Sequence, residues 1–340
     1  MGSIIMTGGG TGGHLAIVKA VKEALRDEEP VYIGSVGGQD RQWFGEDETF
    51  AARYFLETRG VVNQGMIGKL RSLGMLARAV ARSRQLLREH DASVVFSVGG
   101  YSAAPAAIAA LLTGTPLVIH EQNAVPGSLN RLLRPYAKAF ISSYDEASPV
   151  KAYPVKEIFF QKARIREELK TILFIGGSQG AVALNKLALE LAPALRERGV
   201  AIIHQAGERN IEAVRSSYEE MGIEAEVFGF SDRIPELMER ADFAVARAGA
   251  STLWELAANG LPTLFVPYPH AAGDHQYHNA KFLADRHLAW VIRESELEPG
   301  RVLDLMKQDL SVISRGLIDF TPREGAEEIA GILREFGVES

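Results

Sequence analysis

Short apolar runs recur along the chain, each followed by a polar or glycine-rich turn. A longer segment then follows, in which apolar residues return every three or four positions. Short runs rich in Ile, Val, Leu and Phe are typical of strands buried on both faces, and the longer periodic segments of amphipathic helices. Strands are predicted at 4–7, 31–34, 53–57, 94–98, 117–120 and 139–142, then at 171–175, 201–205, 226–228, 243–246, 263–266 and 290–292. Between 17 and 26, Ile17, Val18, Val21 and Leu25 share one helical face, and 181–195 repeats the pattern. Such alternation predicts an α/β fold with parallel sheets and helices on both faces.

The two halves open alike. "SIIM" runs into TGGGTGGH and a helix, and 168 residues later "TILF" runs into IGGSQGA and a helix. Two Rossmann-like domains are expected, 1–150 and 151–320, with 321–340 as a terminal helix placed to pack back on the first. The break falls in the irregular stretch 142–157, which holds Pro149 and Pro154 and no periodicity. Ligands of such domains sit at the carboxyl ends of the strands, where both glycine loops lie. If the domains face each other, both loops look into one cleft.

Composition narrows the function classes. The chain has 340 residues and a net charge of −6, which argues against a general nucleic-acid binder. Residues 1–150 are nearly neutral, with 15 Lys/Arg against 14 Asp/Glu, and the rest is acidic, with 22 against 29. There is no cysteine, so disulfides and thiolate metal sites are excluded. The glycine run interrupts the first apolar stretch too early for a signal peptide, and no apolar run is long enough to span a membrane.

Gly8, Gly10 and Gly13 match the dinucleotide fingerprint, but the second strand ends in Gly34-Ser35, with no acid for a ribose. The same loop begins like a phosphate-binding P-loop, yet His14 and Leu15 stand where Lys and Ser/Thr are needed. What survives is close backbone approach to an anion at a helix start, against the plain alternative of a tight turn. Gly176-Gly177-Ser178-Gln179-Gly180 reads as a nucleophile elbow, with Asp274, His275 and His278 as distant partners. A second anion-binding loop accounts for both halves with one idea and is preferred. "SVGGY" at 97–101 and "HEQN" at 120–123 add polar groups directly after buried strands. In the run 246–284, Ser251 opens a helix, Glu255 lies one turn on, and His275 and His278 lack an evident third metal ligand.

Taken in order, GGGTGGH, SVGGY, HEQN, GGSQGA and the run from Arg247 to Asn279 resemble the MurG family of GT-B glycosyltransferases over nearly the whole chain. The resemblance implies an inverting enzyme that uses no cofactor. It would move GlcNAc from UDP-GlcNAc to the C4 hydroxyl of the MurNAc of lipid I, giving lipid II and UDP. It implies donor contacts from Thr11, Gly12, Gly13, Asn123, Lys156, Ser178, Gln179, Phe230, Ser231, Arg247, Ser251, Thr252, Glu255, His275 and Gln276. On the acceptor side it implies Gly10, Thr11, His14, Tyr101 and Glu121, with His14 as the base. It also implies a place at the cytoplasmic face of the bacterial membrane, among proteins of cell-wall synthesis and division, with no metal and no nucleic acid.

Two positions depart from the family pattern: Ile17 replaces a proline, and Ala152-Tyr153-Pro154-Val155-Lys156 replaces Gly-Asn-Pro-Val-Arg. Lys156 keeps the charge without a bidentate fork. For an anionic membrane surface, 66–90 offers Ile67, Leu70, Leu73 and Leu76 beside a basic face that includes Arg78 and Arg82. A surface helix with its apolar side in the core explains the same pattern. A glycolipid transferase with another acceptor and a nucleotide-sugar binder without transferase activity are the alternatives.

Overall fold

The computed structural model describes residues 2–58, 66–177 and 180–338, with no side-chain description for 66–71 and 337–338. All the predicted strands form, with ends shifted by a residue or two. The first sheet holds β1 (Ser3–Thr7), β2 (Val31–Ser35), β3 (Ala52–Leu56), β4 (Ala92–Ser97), β5 (Leu117–His120) and β6 (Ala139–Ile141), in the order β3-β2-β1-β4-β5-β6. The second holds β7 (Thr171–Ile175), β8 (Ala201–Gln205), β9 (Ala225–Phe228), β10 (Phe243–Ala246), β11 (Thr263–Phe265) and β12 (Trp290–Val291), in the order β12-β11-β10-β7-β8-β9. Every pairing is parallel. Renumbered from its own start, the second order is that of the first, the doubly wound nucleotide-binding order.

The helices follow from the apolar periods. The helix Gly12–Leu25 buries Leu15, Ile17, Val18, Val21 and Leu25 on its sheet side. The helix Ala104–Thr113 buries Pro105 and four alanines, whose small side chains let it lie close, and it ends on left-handed Gly114. The helix Val182–Glu197 packs Leu184, Leu187, Leu191 and Leu195 into the core of the second sheet.

The chain divides into two units, Met1–Val155 with Glu324–Ser340, and Lys156–Arg323. The last helix, Gly325–Val338, buries Ile329, Ala330 and Leu333 and packs on the helix Gly12–Leu25, β1 and β4. Arg334 Nε donates to Glu28 at 2.6 Å, and its Nη2 donates to the Ala24 and Leu25 carbonyls at 3.1 Å. The prolines at 149 and 154 do not make an open linker. Val150, Ala152, Tyr153 and Val155 are buried, and a Cβ at Gly325 would lie 2.6 Å from the Ala152 carbonyl.

In the second unit Arg166 is fully buried just before β7. Its guanidinium donates to the carbonyls of Arg164, Met238, Ala241 and Asn259 and to Asn259 Oδ1. Burial pulls its pKa down to about 9, and the neighbouring Arg164 adds to that. These partners precede β10 and β11, so Arg166 closes the amino-terminal end of the sheet.

Candidate active site

In each unit the glycine loop follows the first strand and lies beside the loop after the fourth, at the point where the strand order reverses. Val98 N donates to Thr7 O at 2.9 Å in the first unit, and Arg247 N donates to Ile175 O at 3.2 Å in the second. Doubly wound sheets bind their ligands at this switch point.

In the first unit, close packing explains much of the glycine content. Gly8 and Gly10 have φ of +135° and +83°. A Cβ at Gly8 would lie 2.2 Å from Val98 Cγ2, one at Gly9 2.3 Å from Asp40 Oδ1, and one at Gly10 2.8 Å from the Tyr101 ring. Gly10 N donates to Asp40 Oδ2 at 2.8 Å, so an internal carboxylate already sits on this amide. Thr11 is exposed, and its Oγ1 lies 2.8 Å from His14 Nδ1. The other ring nitrogen faces the turn after β4, where a Cβ at Gly100 would lie 3.5 Å from Nε2. Gly12 and Gly13 form the first helical turn beside them. Tyr101 donates its hydroxyl to Gly37 O, so this predicted acceptor contact also ties two turns together.

Glu121 is buried and spends both carboxylate oxygens locally. Oε1 accepts from Asn123 N at 3.0 Å, and Oε2 accepts from Gly127 N at 2.9 Å and Asn130 Nδ2 at 3.0 Å. The carboxylate therefore shapes the loop that carries Asn123. His120 is fully buried, edge-on to Tyr153 at 5.6 Å, with neither ring nitrogen hydrogen-bonded among the described residues. Burial pulls its pKa down to about 3, and His14 nearby adds to the shift, so this imidazole is neutral. Sequence reading missed Asp40 and Asn130. Their only signal was a polar residue beside glycine or within a helix, which surface positions show equally often.

In the second unit, the helix Ala250–Ala258 starts at Gly249 directly after β10, with Ser251 and Thr252 in its first turn. Glu255 is half-buried one turn further on. Burial raises its pKa to about 7, and the Lys156 ammonium opposes that rise. Arg247 is only 13% exposed and is already paired: Nη2 lies 2.6 Å from Glu294, and Nη1 donates to Val266 O and Pro267 O at 3.0 and 3.2 Å. It also lies over the Tyr268 ring. Tyr268 N donates to Gln276 Oε1 at 2.9 Å, and His275 Nδ1 lies 2.9 Å from Ala272 O. The next residue back from Glu294, Arg293, pairs with Asp274 at 2.7 Å. Arg293 thus ties the segment that carries His275 and Gln276 directly, and Glu294 fixes the Arg247 that holds the Val266 and Pro267 carbonyls before it. Asn279, fully buried, donates to Ala248 O at 3.2 Å and joins the helix His275–Ala284 to the start of the helix Ala250–Ala258. Phe230 is 61% exposed, and Ser231 accepts from Arg233 N. Ser178 and Gln179 lie outside the described residues.

The basic segment forms the helix Met66–Glu89. Ile67 and Leu70 fall outside the described side chains. Leu73 is 51% exposed, Leu76 half-buried and Arg78 exposed. Arg82 pairs with Glu89 at 3.2 Å and lies over the Tyr54 ring. No helix among the described residues is long and apolar enough to cross a membrane.

Comparison with known proteins agrees with this geometry. Residues 4–142 match the glycosyltransferase family 28 N-terminal domain, and residues 171–316 match the family 28 C-terminal domain. The chain is 61% identical over 334 residues to the UDP-N-acetylglucosamine--N-acetylmuramyl-(pentapeptide) pyrophosphoryl-undecaprenol N-acetylglucosamine transferase of Sulfurovum sp. (strain NBC37-1), covering 98% of this chain and 99% of that protein. The chain belongs to this family. A transferase of the same description from Campylobacter jejuni (serotype O:6) is 48% identical, covering 96% of this chain and 95% of that protein. The crystal structure of Acinetobacter baumannii MurG matches with a TM-score of 0.81 at 28% identity, over 98% of this chain and 100% of that one. A UDP-GlcNAc 2-epimerase from Neisseria meningitidis shares the fold, with a TM-score of 0.63 at 12% identity over 99% of each chain. The family is thus a glycosyltransferase family of GT-B architecture.

Proposed function

We propose that this chain moves GlcNAc from UDP-GlcNAc to the C4 hydroxyl of the MurNAc of lipid I, with inversion, giving lipid II and UDP in peptidoglycan synthesis. The observation that carries the reading is the full-length likeness to transferases named for this reaction. The chemistry of each unit supports it.

The first unit handles the acceptor, through Gly10, Thr11, His14, Tyr101 and Glu121. His14 is the base. In the tautomer that gives Nδ1–H to Thr11 Oγ1, 2.8 Å away, the Nε2 lone pair takes the C4 hydroxyl proton. As that proton leaves, the hydroxyl oxygen bonds to C1 of GlcNAc and the bond from C1 to the UDP oxygen breaks.

The second unit handles the donor. Glu255 accepts from the ribose hydroxyls, and Lys156 adds positive charge on the donor side. Phe230 and Ser231 lie by the uracil, Ser178 and Gln179 by the nucleotide, and His275 and Gln276 read the sugar. The leaving diphosphate meets the amino-terminal end of the helix Ala250–Ala258, with Ser251 and Thr252. Arg247 adds positive charge there while remaining fixed by Glu294.

The exposed Leu73 and Arg78 of the helix Met66–Glu89 support a peripheral contact with an anionic membrane at its cytoplasmic face. Leu112, on the helix Ala104–Thr113 that packs against it, is also exposed, at 60%.

The test is UDP release from UDP-GlcNAc with and without a short-chain lipid I analogue, in EDTA. Acceptor-dependent release is expected. Release that ignores the analogue, or tight UDP-GlcNAc binding without release, would overturn the acceptor assignment.

A further inference from the structure

Asp40 is fully buried, and both of its carboxylate oxygens accept hydrogen bonds from the chain around it. Oδ2 accepts from Gly10 N at 2.8 Å, and Oδ1 accepts from Ser35 N at 3.0 Å. The Tyr32 hydroxyl lies 3.0 Å from Oδ1 and 2.8 Å from the Gly8 carbonyl. Burial and the Asp40 charge both push that phenol's pKa upward, so it stays a donor. Three glycines from two segments make room for the carboxylate: a Cβ at Gly9 would lie 2.3 Å from Oδ1, one at Gly34 2.6 Å from Oδ1, and one at Gly38 2.7 Å from Oδ2. A buried carboxylate costs several kcal/mol before its partners repay it, and an apolar side chain would fill the same space more cheaply. What the carboxylate adds is a fixed conformation for the chain around it.

That conformation leads to His14. Gly10 is held at φ +83°, with the Tyr101 ring over it and the Tyr101 hydroxyl on Gly37 O. The next residue, Thr11, bonds His14 through its side chain at 2.8 Å and accepts from His14 N at 3.2 Å. A Cβ at Gly100, beside His14 Nε2, would lie 2.7 Å from the Gly9 carbonyl. The loops after β1 and β2 therefore meet at one carboxylate, one residue before the Thr11 that bonds the imidazole, and the turn after β4 packs on them through Tyr101 and Gly100.

We propose that Asp40 is a positioning residue for the transfer reaction: it sets the Gly8–Thr11 loop and, through Thr11, the place of the His14 imidazole. The proposal rests on His14 being the base. It assigns Asp40 no contact with substrate and no proton transfer. A misplacement of about 1 Å at a reacting group is enough to cost about a hundredfold in rate.

A double-mutant cycle on the full chain tests this. Asp40→Asn keeps the shape but has one acceptor oxygen, so either Gly10 N or the Ser35–Tyr32 pair then faces an N–H. With saturating UDP-GlcNAc and a short-chain lipid I analogue, D40N is expected to lower kcat about ten- to a hundredfold. Its Kd for UDP by calorimetry should stay within about twofold of the parent, because the nucleotide contacts belong to the second unit. D40N/H14A should be no slower than H14A, since a residue that acts by placing His14 has nothing left to place. Tyr32→Phe removes one donor with less disturbance and should lower kcat by a smaller factor, equally silent on an H14A background. Wild-type turnover by D40N, or the same proportional loss with and without His14, would overturn the positioning role. Wild-type turnover by H14A would instead overturn the base assignment and remove the ground on which this proposal stands.

Discussion

The two units share a strand order and a switch point, but they use their buried charges at opposite ends of it. Asp40 lies at the carboxyl ends of β1 and β2 and accepts from backbone N–H groups there. Arg166 lies at the amino ends of β7, β10 and β11 and donates to carbonyls. Each repays its desolvation with hydrogen bonds to the chain itself. Strand carboxyl ends carry the ligands of this architecture, so the first charge sits under chemistry and the second under folding alone. The loops above them differ in kind as well. The first unit presents an imidazole and a hydroxyl, suited to a neutral acceptor group that must lose a proton. The second presents a helix amino terminus and a tethered guanidinium, suited to a departing diphosphate.

The largest expected effect is His14→Ala. Loss of a positioned base costs about 10²- to 10⁴-fold in kcat, and the UDP-GlcNAc Kd measured by calorimetry should barely move. A matching loss of donor affinity would erase the division of labour between the units.

Arg166→Met comes next, and it separates the two buried charges. It strands several buried carbonyls, at about 3–5 kcal/mol of unfolding free energy, read by urea denaturation. Turnover per folded molecule should stay near the parent value. D40N is expected to show the reverse pattern, and similar profiles for the two would collapse the comparison.

Glu255→Gln sharpens the donor side, with about a ten- to hundredfold rise in donor KM and little change in kcat. The parent should also bind UDP more weakly as pH falls below about 7, because the carboxylate takes up its proton near there before ligand arrives. Affinity should fall about tenfold per pH unit, a slope absent in E255Q. The linkage to stability runs the other way. A carboxyl whose folded pKa is raised from 4.5 to about 7 binds more protons folded than unfolded across that window, so its contribution to stability is lost as pH rises through it.

The smallest effect concerns the membrane. Charge reversal at Arg78 and Arg82 should abolish flotation with anionic vesicles while leaving turnover on a short-chain acceptor in solution intact. Unchanged flotation would return the helix Met66–Glu89 to a plain surface role.

Much of this molecule was legible before any coordinates. Apolar runs such as Ile4-Ile5-Met6 and Ile172-Leu173-Phe174 mark strands buried on both faces, because only chain covered by helices on each side can be apolar throughout. Period, turn residues and the repeated glycine loop led to two doubly wound halves, and the ordered motifs led to the family. These features are local, and their physics acts within about a dozen residues. Tertiary structure alone decided the rest. It put Asp40 on Gly10, thirty residues away, Asn130 on Glu121, and Glu294 on Arg247 across forty-seven. It also turned the proline-bearing stretch before Lys156 into packed core. A buried polar side chain is set by which strand ends the topology brings together. An aspartate in a glycine-rich turn carries no mark of that until the sheet has formed.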